Sequence, residues 1–217
     1  MGAATGNWAC MTNVLRMNIS YNNFDMLEIG YGINLRPLAI MAENIYGDDP
    51  CEFFMPKRLE ENKYDPIEDG LAAKMNKAIS ICQFKVEGQR IMAHPEYRLE
   101  NRLLLDKIDY ENGTIKLRDG VYPLRDTNFP TIDPENPYEL TQDEKDVLNA
   151  LEASFLNSEK LQKHIRFIYS NGALYTAVNG NLLYHGCIPM DENGEFEKCT
   201  VNGVTKSGKA YMDYLDT

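Results

Sequence analysis

Apolar residues recur at helical spacing through the first third of the chain. Val14, Leu15 and Ile19 mark one helix. Asn34-Leu35-Arg36-Pro37 opens a second, with Pro37 tolerated in the first turn and Leu38, Met41, Ala42 and Ile45 as its stripe. Gly47 and the run Asp48-Asp49-Pro50 end it. A third stripe, Leu71, Met75, Ala78, Ile79 and Cys82, predicts a helix over about 67–84 with one core-facing side.

From about residue 86 to 124 the pattern shifts to strands. Asn112-Gly113, after Ile108-Asp109-Tyr110, offers the positive φ angles of a type I′ turn, and Arg118-Asp119-Gly120 separates Thr114–Leu117 from Val121-Tyr122. A small antiparallel meander is expected. Pro123, Pro130, Pro134 and Pro137 then exclude regular helix or central strand, so an extended connector follows, ordered by packing of Phe129, Ile132 and Tyr138. Thr141-Gln142-Asp143-Glu144 is a capping box at the head of a helix through Val147, Leu148, Leu151 and Phe155.

A further helix from Ser158 carries Leu161, Ile165 and Ile168 on one side and is expected to end on a left-handed residue at Asn171-Gly172. Asn179-Gly180 joins Ala173–Val178 to Asn181–Tyr184 as a hairpin, which delivers His185-Gly186-Cys187 at the end of its second strand. The acidic run Asp191–Glu195 reads as a solvated turn.

Composition narrows the function classes. With 43% hydrophobic and 25% charged residues in 217, the chain is globular, as one large domain or two small ones. A net charge of −11 repels polyanions, which argues against nucleic acid and anionic membranes as partners. Five widely spaced cysteines without a C-x-x-C pair fit neither a disulfide framework nor a zinc knuckle, so reduced thiols and a cytoplasmic location are expected. The start of the chain lacks the features of a signal peptide, and Arg16 and Asp25 interrupt any membrane-spanning run.

Few residues carry candidate chemistry. Of the three histidines, His94 reads as a surface residue and His164 lies mid-helix beside an apolar stripe. His185 ends an apolar strand and precedes a glycine, which would let a ligand approach closely; a hydrogen-bonded strand-end residue is the plainer alternative. Paired acids at Asp48-Asp49 and from Asp65 to Glu68 read as turn chemistry rather than general acid–base groups. Glycine-rich phosphate loops, nucleophile elbows and H-E-x-x-H are absent from the sequence. The residues alone describe a cytoplasmic α/β protein with one candidate histidine.

Several longer blocks add to this. They are Met1–Gly6, Tyr31-Gly32-Ile33-Asn34-Leu35-Arg36-Pro37, Tyr46-Gly47-Asp48-Asp49-Pro50-Cys51, Arg102–Tyr110, Asp126-Thr127-Asn128-Phe129-Pro130 and Asn179–Pro189. Taken together and in order, the chain resembles the class III fructose-1,6-bisphosphatases of bacteria such as clostridia and bacilli. The resemblance implies a metal-dependent sugar phosphatase related to the calcineurin-like metallophosphoesterases, hydrolysing fructose 1,6-bisphosphate to fructose 6-phosphate in gluconeogenesis. The implied fold is α/β, a partial calcineurin-like core with a helical and antiparallel-meander insertion. Residues 1–50 would be helices of the catalytic core, 51–140 the insertion, and 141–217 the return to the core.

The family's metal motifs are Asp-x-His, Gly-Asp-x-x-Asp-Arg, Gly-Asn-His-Asp, His-Gly and a last Gly-His. This sequence carries the His-Gly, as His185-Gly186, and the resemblance implies that His185 is a ligand of a dinuclear site for divalent ions, most simply Mn2+. The first three motifs belong upstream of Met1 and the last beyond Thr217, so a central fragment of a longer enzyme is expected. One imidazole does not hold two metals, and the 217-residue chain by itself is expected to be inactive. The acidic balance fits this reading, because metals rather than the overall field must attract a bisphosphate. Lys163 and Arg166 are candidates for local attraction of the phosphates, but exposed helix cations of this kind are more often solubilising. The alternative is a non-catalytic truncated product or interaction module of the same family; a homo-oligomer is compatible with either.

Overall fold

In a computed structural model of the chain, residues 1–57 and 67–216 are described. Asp65, and so the paired acids that begin with it, lies outside them. The stripes assemble four helices: α1 (Trp8–Ser20) and α2 (Arg36–Tyr46) pack on α3 (Asp69–Ala93), and α4 (Gln142–Asn157) closes the group. Asn7 caps α1 by accepting the Cys10 amide at 3.0 Å. Met11, Leu15 and Ile19 meet Leu38 and Ala42 against Met75, Ile79 and Cys82 of α3, with Leu148, Leu151 and Phe155 completing this core. Each such side chain, taken fully out of water, contributes about 1.5–3 kcal/mol.

α3 runs well past Phe84, into the stretch from about residue 86 where the sequence pattern predicts strands. Two tertiary features carry the helix on. The Lys85 ammonium is neutralised inside the protein by Glu144 at 2.7 Å. Gly88 opens a notch filled by the Tyr138 ring, where a Cβ would stand only 2.1 Å from the ring's Cδ1. Gln89 Nε2 then donates to the Tyr138 carbonyl at 2.7 Å. Within the stretch from about 86 to 124, strands are accordingly confined to 108–123.

On its other side α3 offers Ile81 to a second cluster with Leu105, Ile132 and Tyr138, against which Phe129 and Tyr110 pack. The proline-rich connector is therefore ordered by the side chains expected to order it. The meander is β1 (Ile108–Asp109), β2 (Thr114–Leu117) and β3 (Gly120–Pro123), antiparallel in that order. Its first turn is not type I′: Asp109 pairs with Thr114, Gly113 alone has positive φ, and the Asp109 carboxylate accepts the Asn112 amide at 3.0 Å. Tyr110 is drawn to the second cluster, its hydroxyl donating to the Leu105 carbonyl at 2.9 Å, and this lengthens the loop.

The capping box forms as read, with Glu144 N–H to Thr141 Oγ1 at 3.2 Å and Thr141 N–H to Glu144 Oε2 at 2.8 Å. α5 (Glu159–Asn171) follows, and the chain divides within it into two compact units, Met1–Lys163 and His164–Thr217. Gly172 does not take the expected left-handed cap; its amide donates to the Ile168 carbonyl at 2.7 Å. Phe167 and Ile168 of α5 are exposed.

The second unit contains hairpin β4 (Tyr175–Val178) and β5 (Asn181–Tyr184), hairpin β6 (Cys199–Val201) and β7 (Val204–Lys206), and α6 (Gly208–Leu215). Every sheet among the described residues is small and antiparallel, so the fold is a mixture of helices and short antiparallel sheets. No helix among the described residues is long and apolar enough to cross a membrane.

Candidate functional site

His185 follows the last residue of β5 directly. The hairpin that presents it turns at Asn179 and Gly180, with φ of 51° and 77°, the two left-handed positions of a type I′ turn. Val178 thus pairs with Asn181 and Tyr175 with Tyr184. A polar triad ties the hairpin's first strand to α6: Tyr175 Oη donates to Asp213 Oδ1 at 2.6 Å and Lys209 Nζ to Asp213 Oδ2 at 2.6 Å. These two hydrogen bonds, Lys209's first, hold the Asp213 carboxyl below its usual range. The Leu174 amide donates to Asp216 Oδ1 at 3.2 Å, a further tie to the chain beyond α6.

His185 itself is exposed, and the left-handed Gly186 beside it, at φ 89°, leaves open space on the side where a Cβ would stand. An imidazole so placed offers a nitrogen lone pair to an incoming ligand. It fits one position of a metal's coordination shell. Among the described residues no group of three or more His, Cys, Asp or Glu side chains could hold a metal ion. His94 bonds Glu96 Oε1 at 2.7 Å and stacks on Tyr97, a surface arrangement as expected. His164 stands exposed on α5. The run Asp191–Glu195 is a turn in which Asp191 Oδ1 accepts the amides of Asn193 and Glu195, each at 2.9 Å.

The first unit holds a polar centre that the sequence does not announce. Lys77, on the buried side of α3, has a fully buried side chain, and its ammonium meets Asp49 at 2.6 Å and Asp126 at 2.7 Å. The rings of Tyr46, Phe54 and Phe129 stand 4.9, 5.8 and 5.8 Å from the same nitrogen. Asp49 Oδ2 also accepts from Asn128 Nδ2 at 2.8 Å, and its Oδ1 takes the Cys51 amide at 2.8 Å. Burial acts to raise the Asp49 carboxyl, but these hydrogen bonds, led by Lys77's, outweigh it and bring the pKa down to about 2.

The Cys51 amide bond also supports an uncommon left-handed backbone at Cys51, φ 47°. Burial, then the neighbouring Asp49 charge, pushes the Cys51 thiol up to about 11, so it stays protonated and unreactive. The blocks Tyr46–Cys51 and Asp126–Pro130, far apart in sequence, are thus brought together around one lysine. Asp49 is more than a helix stop.

Comparison with known proteins shows what the whole chain is similar to. The chain is 55% identical to a fructose-1,6-bisphosphatase class 3 of Clostridium tetani (strain Massachusetts / E88) over 216 residues, which is 100% of this chain and 32% of that protein. It is 52% identical to the class 3 enzyme of Clostridium novyi (strain NT) over 217 residues, covering 32% of it, and 50% identical to that of Alkaliphilus metalliredigens (strain QYMF) over 218 residues, covering 33%. The chain thus spans about a third of the length of the curated relatives it matches. No solved structure matches it. Since the profile described as Firmicute fructose-1,6-bisphosphatase matches residues 1–217 throughout, the chain belongs to that family.

Proposed function

We propose that this chain is part of a cytoplasmic, metal-dependent phosphomonoesterase that hydrolyses fructose 1,6-bisphosphate to fructose 6-phosphate and phosphate, and that His185 is its contribution to the metal centre. The observation that carries the reading is the exposed imidazole at the tip of β5, beside an open glycine, in a chain matched by the family from end to end. A pair of divalent ions, Mn2+ here, would supply an activated water and clamp the phosphoryl oxygens. The chain's own work is to present one imidazole nitrogen in a fixed direction. The type I′ turn sets that direction, and Gly186 keeps the approach clear.

On this reading the segments 1–50 and 141–217 belong to a calcineurin-like core and 51–140 to an insertion. The substrate is an anion that the net charge of −11 does not attract, so attraction falls to the metal site. The same charge argues against nucleic acid and anionic membrane surfaces as partners.

Two measurements test the proposal. In the 217-residue chain, adding Mn2+ should broaden the imidazole proton resonances of His185 well before those of His94 and His164; equal broadening of all three, or none at His185, counts against the ligand role. A chimera in which this chain replaces the matching segment of the Clostridium tetani relative should release phosphate from fructose 1,6-bisphosphate. His185→Ala in that chimera should lower the rate at least ~100-fold, within the range seen when a key catalytic group is removed. Undiminished activity in the variant overturns the ligand assignment, and a folded chimera without activity overturns the enzyme reading.

A further inference from the structure

The groove between α1 and α3 combines positive charge, aromatic walls and a polar floor. Its cavity is about 520 Å3, the size of a small-molecule site. Among the described residues three cations line it, Arg16, Lys57 and Arg102, against one acid, Glu87, a local excess of positive charge on a protein whose total is −11. The cations are held at definite places. Arg16 Nε donates to Gln83 Oε1 at 2.6 Å, and Arg102 reaches Glu87, one turn further along α3, at 3.3 Å. The Lys57 amide donates to the Ser20 carbonyl at 2.7 Å, which fixes it beside the end of α1.

Among the described residues, neither Arg16 nor Lys57 has a carboxylate partner; Lys57 lies 5.5 Å from the centre of the Tyr21 ring instead. Tyr21, Phe53 and Phe84 border the groove and are 39%, 51% and 39% exposed. The floor is quieter. Asn76, Ser80 and Gln83 are buried and already bonded to Phe54, the Asn76 carbonyl and Arg16.

Cations with no carboxylate partner among the described residues, set beside exposed rings, suit a ligand that supplies both a negative charge and a flat apolar surface. We infer that this groove binds a small organic anion, a phosphate or carboxylate carried on an aromatic ring, with Arg16 and Lys57 taking the charge and Phe84 and Tyr21 the ring. The inference uses no residue of the His185 hairpin.

The test is calorimetric titration of the 217-residue chain with phenylphosphonate, in chelator so that no metal takes part. One-to-one saturable binding is expected, at least tenfold tighter than that of inorganic phosphate or benzyl alcohol, and weakening as salt rises. Arg16→Gln and Lys57→Gln should each weaken it at least fivefold, and Phe84→Ala should do the same while leaving the salt dependence intact. Lys57 is exposed, so Lys57→Gln should keep the parent's thermal transition and serves as the variant free of folding effects. His185→Ala should bind like the parent. Absence of saturable binding at millimolar probe, equal affinity for inorganic phosphate, unchanged binding in Lys57→Gln, or loss of binding in His185→Ala each overturns the inference.

Discussion

Lys77 carries its charge where no water reaches, so its two aspartates are a condition of the fold rather than an ornament of it. Removing one side of such a pair leaves uncompensated charge inside the protein, at a cost of about 3–5 kcal/mol. Lys77→Met, which keeps the bulk and loses the charge, should therefore lower the urea midpoint markedly by leaving Asp49 and Asp126 to repel one another. The acid limb offers a finer test. The folded pKa of Asp49, about 2, lies below the ordinary 3.8, so its share of stability is complete above about 3.8 and is lost as pH falls toward 2. In Lys77→Met that part of the acid limb should flatten, as read from urea midpoints at successive pH values. None of this was legible in sequence, because Lys77 and Asp49 are 28 residues apart. His185 was legible, being one of three histidines and the one at a strand end.

Among the elements, α3 shows how packing overrides local pattern. Its second half reads as polar, yet Lys85 finds Glu144 and Gly88 admits Tyr138. Gly88→Ala would normally favour a helix, but here the added methyl meets the ring. It should destabilise by about 1–3 kcal/mol, against a gain of about 1 kcal/mol from helix propensity, and a lowered thermal midpoint would show the ring contact winning. Glu144 serves the capping box and Lys85 together, so Glu144→Ala should cost about 3–5 kcal/mol and Thr141→Ala only about 1 kcal/mol, a contrast measurable by denaturation.

The Asn-Gly pairs make the same point from the other side. Asn179-Gly180 and Asn202-Gly203 both take two positive φ values and close hairpins; the second was equally readable in Thr200-Val201 and Val204-Thr205 and was not anticipated. Asn112-Gly113 and Asn171-Gly172 carry the same letters. Tyr110 is pulled into the core beside the first, and the second continues helical hydrogen bonding, so neither forms the turn its dipeptide favours.

At the scale of the whole chain, burial is uneven. The core side chains of α1, α2 and α3 are buried, while Leu182, Leu183 and Tyr184 of β5 are 51%, 56% and 50% exposed. Amide hydrogen exchange should accordingly be slowest in α3 and fastest in the β4–β5 hairpin, which opens without disturbing a core; equal protection of the two would contradict this. The donor count sets an expectation for activity as well. If His185 supplies a single metal ligand, as proposed, and with no group of three or more candidate metal donors among the described residues, the 217-residue chain with Mn2+ should release no phosphate from fructose 1,6-bisphosphate above background. Manganese-dependent release that disappears in His185→Ala would refute that. What the sequence by itself determined were features closed within a turn or two of chain: the apolar stripes, the Thr141–Glu144 box, the Asn179-Gly180 hairpin that ends on His185, and the blocks that place the chain in its family. The length of α3 and the Lys77 centre were decided only in three dimensions, because each depends on side chains from distant segments, Glu144 and Tyr138 for the one and Asp49 and Asp126 for the other.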